Sequence, residues 1–176
     1  FCLSRGLGDV YKRQAFKGCT RLVNIQIPDG VTTIGDRAFL DCTALKSIVI
    51  PDSVTELGNV FYGCTALKSV TIGRGVADIT RTAFTDCTAL AEINVDPANT
   101  RYKSVDGVLY DKHLTILLKC PAAKSGSVTI PDSVRTIGIQ AFFGCTALTS
   151  VVIPDGVTEI GNVAFEGCTA LESVLV

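Results

Sequence analysis

Cysteine, histidine and aspartate are the residues of this chain whose spacing invites a chemical reading. Of the eight cysteines, six fall in series at Cys19, Cys42, Cys64, Cys87, Cys145 and Cys168, with intervals of 23, 22, 23, 58 and 23 residues. None forms a C-x-x-C pair, so a zinc site is not expected. Disulfides between neighbours would require Cα atoms about 4.4–6.8 Å apart. Each cysteine instead occupies the same small apolar slot, which predicts buried free thiols. His113 is the only histidine, and no patterned Ser or Cys accompanies it; a catalytic triad is defined by geometry, so no nucleophilic site is expected. Aspartates follow proline at Asp29, Asp52, Asp132 and Asp155. Stacked, they could form a calcium ladder. Arg74 breaks the series in the third unit, however, and aspartate at a turn needs no metal to explain it. Gly73-x-Gly75 lacks the flanking Gly and Lys of a phosphate loop. The chain is therefore expected to carry no catalytic residues, no metal and no cofactor.

Composition narrows the class further. The chain has 176 residues, 47% hydrophobic and 19% charged, a balance that excludes extended disorder. Its formal net charge of −1 argues against a nucleic-acid partner, because binding phosphates needs a clustered basic surface. No apolar run reaches the roughly 20 residues of a membrane span. The sequence contains no Met and is read as a stretch of a longer protein. Residues 1–14, FCLSRGLGDVYKRQ, match nothing else in it. Ser4 to Gln14 look like the translation of a transposase-type sequencing-library adapter, so this segment, with Cys2, is expected to be foreign. A signal peptide would need an uninterrupted apolar region, which Arg5, Asp9, Lys12 and Arg13 preclude.

The cysteines keep time with a repeat, and internal repeats decide the fold before anything else does. The pattern A-F-x-x-C-T-x-L starts at residues 15, 38, 60, 83, 141 and 164. Leu22, Leu45, Leu67, Leu90, Leu148 and Leu171 follow each cysteine. Next come Ile25, Ile48, Val70, Ile93, Val151 and Val174, and two residues later Ile27, Ile50, Ile72, Val95, Ile153 and Val176. Alternating β-branched residues predict a half-buried strand. Pro28, Pro51, Pro131 and Pro154 close it, because proline cannot donate to a ladder. A second apolar pair and a glycine lead into a short helical turn bearing the Ala-Phe pair. Gly or Asp precedes each repeat cysteine, which predicts a left-handed residue there. One such unit cannot bury its own apolar face, whereas stacked units can. The predicted fold is a right-handed solenoid of parallel strands, about 4.8 Å per layer.

The sequence AFxxCTxLxxIxIPDxVxxIG resembles the BspA-type leucine-rich repeats, found in surface proteins of oral and gut bacteria and in some parasitic protists. The resemblance covers residues 15–176. It implies a leucine-rich repeat solenoid and an extracellular or cell-surface location. It also implies adhesion or protein–protein interaction, with host matrix or other bacteria as partners. The alternative reading is a structural spacer that holds another domain away from the cell. An enzyme is not expected. With both ends cut through the repeat array, end-to-end self-association is expected through exposed sheet edges.

The long fourth unit reads as an insertion over about 97–126. Val108–Tyr110 and Leu114–Leu118, joined by a polar turn, predict a β-hairpin. Members of the family often carry such a DGVLYDK insertion. Tyr102, Tyr110, His113 and Lys119 are its candidate contacts, since loops on a rigid scaffold often hold binding residues. The second candidate is the exposed strand face. One column there holds Asn24, Ser47, Ser69, Glu92, Ser150 and Ser173, and the other Gln26, Val49, Thr71, Asn94, Val152 and Leu175. Trp, Tyr and Arg, the usual interface anchors, are missing from both columns. Any site there would be weak per repeat and would gain from repetition.

Overall fold

The computed structural model of the chain describes residues 10, 11 and 13–176. Cys2 and the rest of residues 1–9 and 12 lie outside the described residues. Within the segment expected to be foreign, β1 (Val10–Tyr11) pairs in parallel with β2 (Thr33–Ile34).

The alternating runs form strands that stack in two ladders, and the chain is a β-solenoid of about six turns. The longer strands make the main ladder. In the first half, β3 (Ser47–Ile50), β5 (Ser69–Ile72) and β7 (Glu92–Val95) pair in parallel, with Ser47 on Ser69 and Ser69 on Glu92. In the second half the same role falls to β11 (Gly126–Thr129), β13 (Leu148–Val152) and β15 (Ser173–Leu175). Two-residue strands make the other ladder: β4 (Glu56–Leu57) on β6 (Asp78–Ile79), and later β12 (Thr136–Ile137) on β14 (Glu159–Ile160).

The corners carry no helix among the described residues, which corrects the expected helical turns. Each is a single turn, such as the Cys64 N–H donating to the Phe61 carbonyl at 3.1 Å. The next residue stops it from continuing. Gly18, Asp41, Gly63, Asp86, Gly144 and Gly167 all have φ between 58° and 78°, as their residue types predict. A second left-handed position, just before the alanine, has no such signature: Gln14, Arg37, Gln140 and Val163 adopt φ of 50–62° there.

Inside the coil, equivalent side chains lie on one another. Phe16, Phe39, Phe61 and Phe84 stack with ring centroids 5.2, 5.9 and 6.0 Å apart, and Phe142 stacks on Phe165 at 4.8 Å. These offsets suit aromatic stacking. All seven described cysteines are free thiols, and most donate their S–H to the preceding turn. Cys42, Cys64, Cys87 and Cys168 reach the carbonyls of Phe16, Phe39, Phe61 and Phe142 at 3.0–3.1 Å. The slot therefore selects a small side chain that packs like a hydrophobe and still caps an inward-facing carbonyl.

The insertion is a three-stranded antiparallel meander, one strand more than the predicted hairpin: β8 (Tyr102–Val105), β9 (Val108–Asp111) and β10 (Ile116–Lys119). Asp106 and Gly107 form the first turn with φ of 50° and 77°, the left-handed pair a two-residue hairpin requires. β10 then pairs in parallel with β12, so the insertion hands the chain back to the short-strand ladder. The coil resumes earlier than 126. The Cys120 N–H donates to the Ala141 carbonyl at 2.7 Å, as the Phe142 N–H does to that of Ala164 at 2.8 Å. Cys120 thus stands where the regular turns have phenylalanine. The meander divides the core in two. Leu109 packs with the first half, while Val108 and Tyr110 pack with the second.

Candidate binding surface

Strand alternation puts one side of every main-ladder strand into the core and the other into solvent. In β3 the pattern is strict, with Ile48 and Ile50 buried and Ser47 and Val49 exposed. Within each half, residues of the two columns pair across neighbouring strands. Ser47, Ser69 and Glu92 lie side by side, as do Val49, Thr71 and Asn94. In the second half Ser150 pairs with Ser173 and Val152 with Leu175. The columns are not continuous, because β7 and β11 belong to separate sheets. They also gain two members overlooked in the long unit: Ser127 pairs with Ser150 and Thr129 with Val152. Their signal was present, since Ser127–Thr129 precedes Ile130-Pro131 in the usual order.

The first patch has a hollow at its edge. Asn24, Gln26, Ser47 and Val49 line a cleft of about 370 Å³ together with Asp29 and Pro51. No strand forms over 24–27, so that segment does not close on β3. Val49 is 61% exposed, an aliphatic surface beside neutral polar groups.

The four insertion candidates have different surroundings. Tyr102 sits in the third layer of the short-strand side, where its hydroxyl accepts the Ile79 N–H at 3.1 Å. Tyr110 is 1% exposed, and burial raises its phenol well above the usual range. His113 is exposed in the β9–β10 turn. Asp111 holds that turn through the Thr115 and Ile116 N–H groups, both at 2.6 Å. Lys119 is half-buried and donates to the carbonyls of Gln140 and Phe143 at 3.1 and 3.3 Å. Burial lowers its pKa.

Two features were missed. Asn99 is fully buried and takes the place of valine in the turn column of Val54 and Val76. Its Nδ2 donates to the carbonyls of Gly73 and Val76 at 2.9 and 3.0 Å, and its Oδ1 accepts from the N–H of Arg101 and Tyr102, both at 2.8 Å. A buried amide is stable when its donors and acceptors are used in this way. The second is a groove of about 410 Å³ lined by Arg37, Leu40, Asp41, Asn59, Tyr62 and Thr82. Tyr62 is 41% exposed, and a hydrogen bond to Asp86 raises its pKa.

The turn aspartates behave as turn residues. Where Arg74 interrupts the series, its Nε donates to Asp52 Oδ2 at 2.6 Å and its N–H to Oδ1 at 3.0 Å. Arg74 also holds the Asp52 carboxyl below its usual pKa. Gly73 and Gly75 serve close packing: an added Cβ at Gly75 would stand 2.0 Å from the Asp52 carbonyl oxygen. No group of three or more His, Cys, Asp or Glu among the described residues could hold a metal ion. No helix among them is long and apolar enough to cross a membrane.

These ladders define the class: a leucine-rich repeat solenoid with an exposed parallel sheet. The model of the BspA type leucine-rich repeat region matches residues 10–105 and 120–176 in six copies. The chain belongs to that family. It is similar in structure to a leucine-rich cell surface protein from Faecalibacterium prausnitzii, with 31% identity and a TM-score of 0.68 over 94% of this chain and 51% of the other. A leucine-rich repeat protein from Eubacterium ventriosum gives 29% and 0.66 over 86% and 48%. The pneumococcal vaccine antigen PcpA, at 22% identity and TM-score 0.68 over 94% and 47%, shares the fold. The chain spans about half the length of each of these proteins. No curated protein matches it.

Proposed function

We propose that the chain is a non-enzymatic binding module of a bacterial cell-surface or secreted protein, and that it adheres to host matrix proteins or to other bacteria. The carrying observation is the exposed face of the main ladder, where Ser47, Val49, Ser69 and Thr71 stand in register on a sheet whose outward charge in this half is Glu92. Such a surface binds through shape and repetition. The likeness to the leucine-rich cell surface protein of Faecalibacterium prausnitzii supports the location.

The test is surface immobilisation of matrix proteins and whole bacteria, with the chain as analyte. The expected result is saturable binding that Val49→Arg and Thr71→Arg weaken together. Absence of binding across the panel overturns the reading. The half-length match to its relatives favours a second reading, in which the coil is a spacer for another domain. In that case the arginine variants leave the adhesion of the longer protein unchanged.

A further inference from the structure

We propose that an extended peptide segment of a partner protein docks beside β11 by adding a strand to its free edge. This rests on the reading of the chain as a protein-binding module and adds to it a site for an extended peptide.

In a parallel ladder successive residues send their N–H and C=O groups to opposite neighbours. On the β13 side the Ile130 N–H donates to the Val152 carbonyl at 3.0 Å. Ser127 and Thr129, out of phase with Ile130, therefore face the other way. The equivalent residues of β7 face the preceding turn, where the Glu92 N–H donates to the Lys68 carbonyl at 3.3 Å. For β11 the preceding strand is missing. It is an edge of its sheet, and no strand pairs with it on that side.

The opposite bank of the gap is satisfied. Ile93 N–H donates to the Gly107 carbonyl at 2.9 Å, and Val95 N–H to Ser104 Oγ at 3.1 Å. The meander thus caps β7 and leaves β11 bare. The gap leaves room for a strand. No Cα of β11 comes within 8 Å of β7, β8 or β9, while strands flanking a single inserted strand stand about 10 Å apart. A cleft of about 360 Å³ occupies the gap, with Val105, Val108 and Val128 beside Ser127 and Thr129. Val105, only partly buried, offers an apolar contact for a side chain of an added strand, and the buried Val108 and Val128 lie beneath it. Lys124 Nζ donates to the Asp106 carbonyl, closing one end and limiting the occupant to a short segment. The unused groups are backbone groups in strand register, so the complementary ligand is an extended backbone.

Hydrogen exchange on the free chain comes first. Ser127 and Thr129 amides exchange rapidly while those of Val128 and Ile130 are protected. Protection of the first pair in the free chain overturns the proposal. A displayed library of linear peptides about ten residues long, enough for one strand, is then selected against the chain. Selected peptides slow exchange at Ser127 and Thr129. Thr129→Pro removes only the outward N–H, which an edge strand tolerates, and weakens their binding by about tenfold or more. Lys46→Ala, at an exposed residue of the first half, leaves it unchanged. Failure to select any peptide, or equal binding by Thr129→Pro, overturns the edge site. So does a dimer that Thr129→Pro abolishes, which assigns the edge to a second copy. Matrix binding with no selected peptide removes the edge site but keeps the binding module; absence of all protein binding by the unaltered chain removes both.

Discussion

The regular turns from 38 to 95 and the stretch from 97 to 126 solve the same physical problem by different means. In the regular turns three ladders run together: parallel backbone pairing, stacked phenylalanines, and cysteine thiols capping carbonyls of the turn before. All three break at the insertion. The ring stack ends at Phe84 and resumes at Phe142. Cys145 reaches the carbonyl of Pro121 at 3.5 Å in place of a phenylalanine carbonyl. The main sheet stops at β7. The coil survives because substitutes satisfy what the break exposes: Asn99 and Tyr102 bond the turn before, and Gly107 and Ser104 cap β7. A solenoid therefore tolerates an irregular layer when its polar backbone is answered and its core is filled. Where the substitution is incomplete, at β11, an edge remains.

The sharpest way to separate the two regions is to cut the ring stack. Phe61→Ala should cost about 4 kcal/mol. Amides over 38–95 should lose exchange protection while those over 128–153 keep theirs, because the two cores are distinct clusters. Equal loss in both halves would show one cooperative core. In the break, Asn99→Val restores the residue type of the column but strands two carbonyls and two N–H groups. We expect about 3 kcal/mol of destabilisation by denaturant titration. A neutral or stabilising Asn99→Val would refute the role assigned to the amide.

Gly75→Ala tests the tightness of the regular layers. The Cβ collides with Asp52 backbone, and the expected loss is about 2 kcal/mol; an unchanged melting temperature would contradict it. The last test is alkaline, with the smallest effect near pH 9. Burial raises the Cys42 thiol to about 11 and the Cys87 thiol to about 12, and pushes up that of Cys64. The folded state thus holds these protons more tightly than the unfolded chain. Their stabilisation is complete below pH 9, the unfolded value, and is lost as pH rises toward the folded values. The slope approaches about 1.4 kcal/mol per pH unit for each thiol. In the second half the hydrogen bond shared by Cys120 and Cys145 raises the first thiol and lowers the second, while burial raises Cys168. Denaturation midpoints at rising pH should therefore fall for the first half; a flat profile there would contradict the burial of its thiols.

Legibility in the sequence followed repetition. The Leu, Ile, Phe and Cys columns recur in register, and the structure buries most of them; the Gly or Asp before each cysteine announced its left-handed backbone. Where no repeat stood beside a residue, nothing marked it. Asn99 reads as a loop polar residue unless it is aligned with Val54 and Val76. β8 was missed because YKSV lacks a clean apolar alternation. Arg37, Gln140 and Val163 are left-handed without a residue type that signals it, whereas the equivalent Asn59 and Thr82 are not left-handed.

By itself, the order of residues determined the period, the strands and the apolar side of each layer, because these depend on local alternation and turn chemistry. Only the tertiary structure decided where the ladder is interrupted and which backbone groups that leaves unpaired. Pairing joins residues one turn apart, and a meander placed between two turns acts on partners it does not adjoin in sequence.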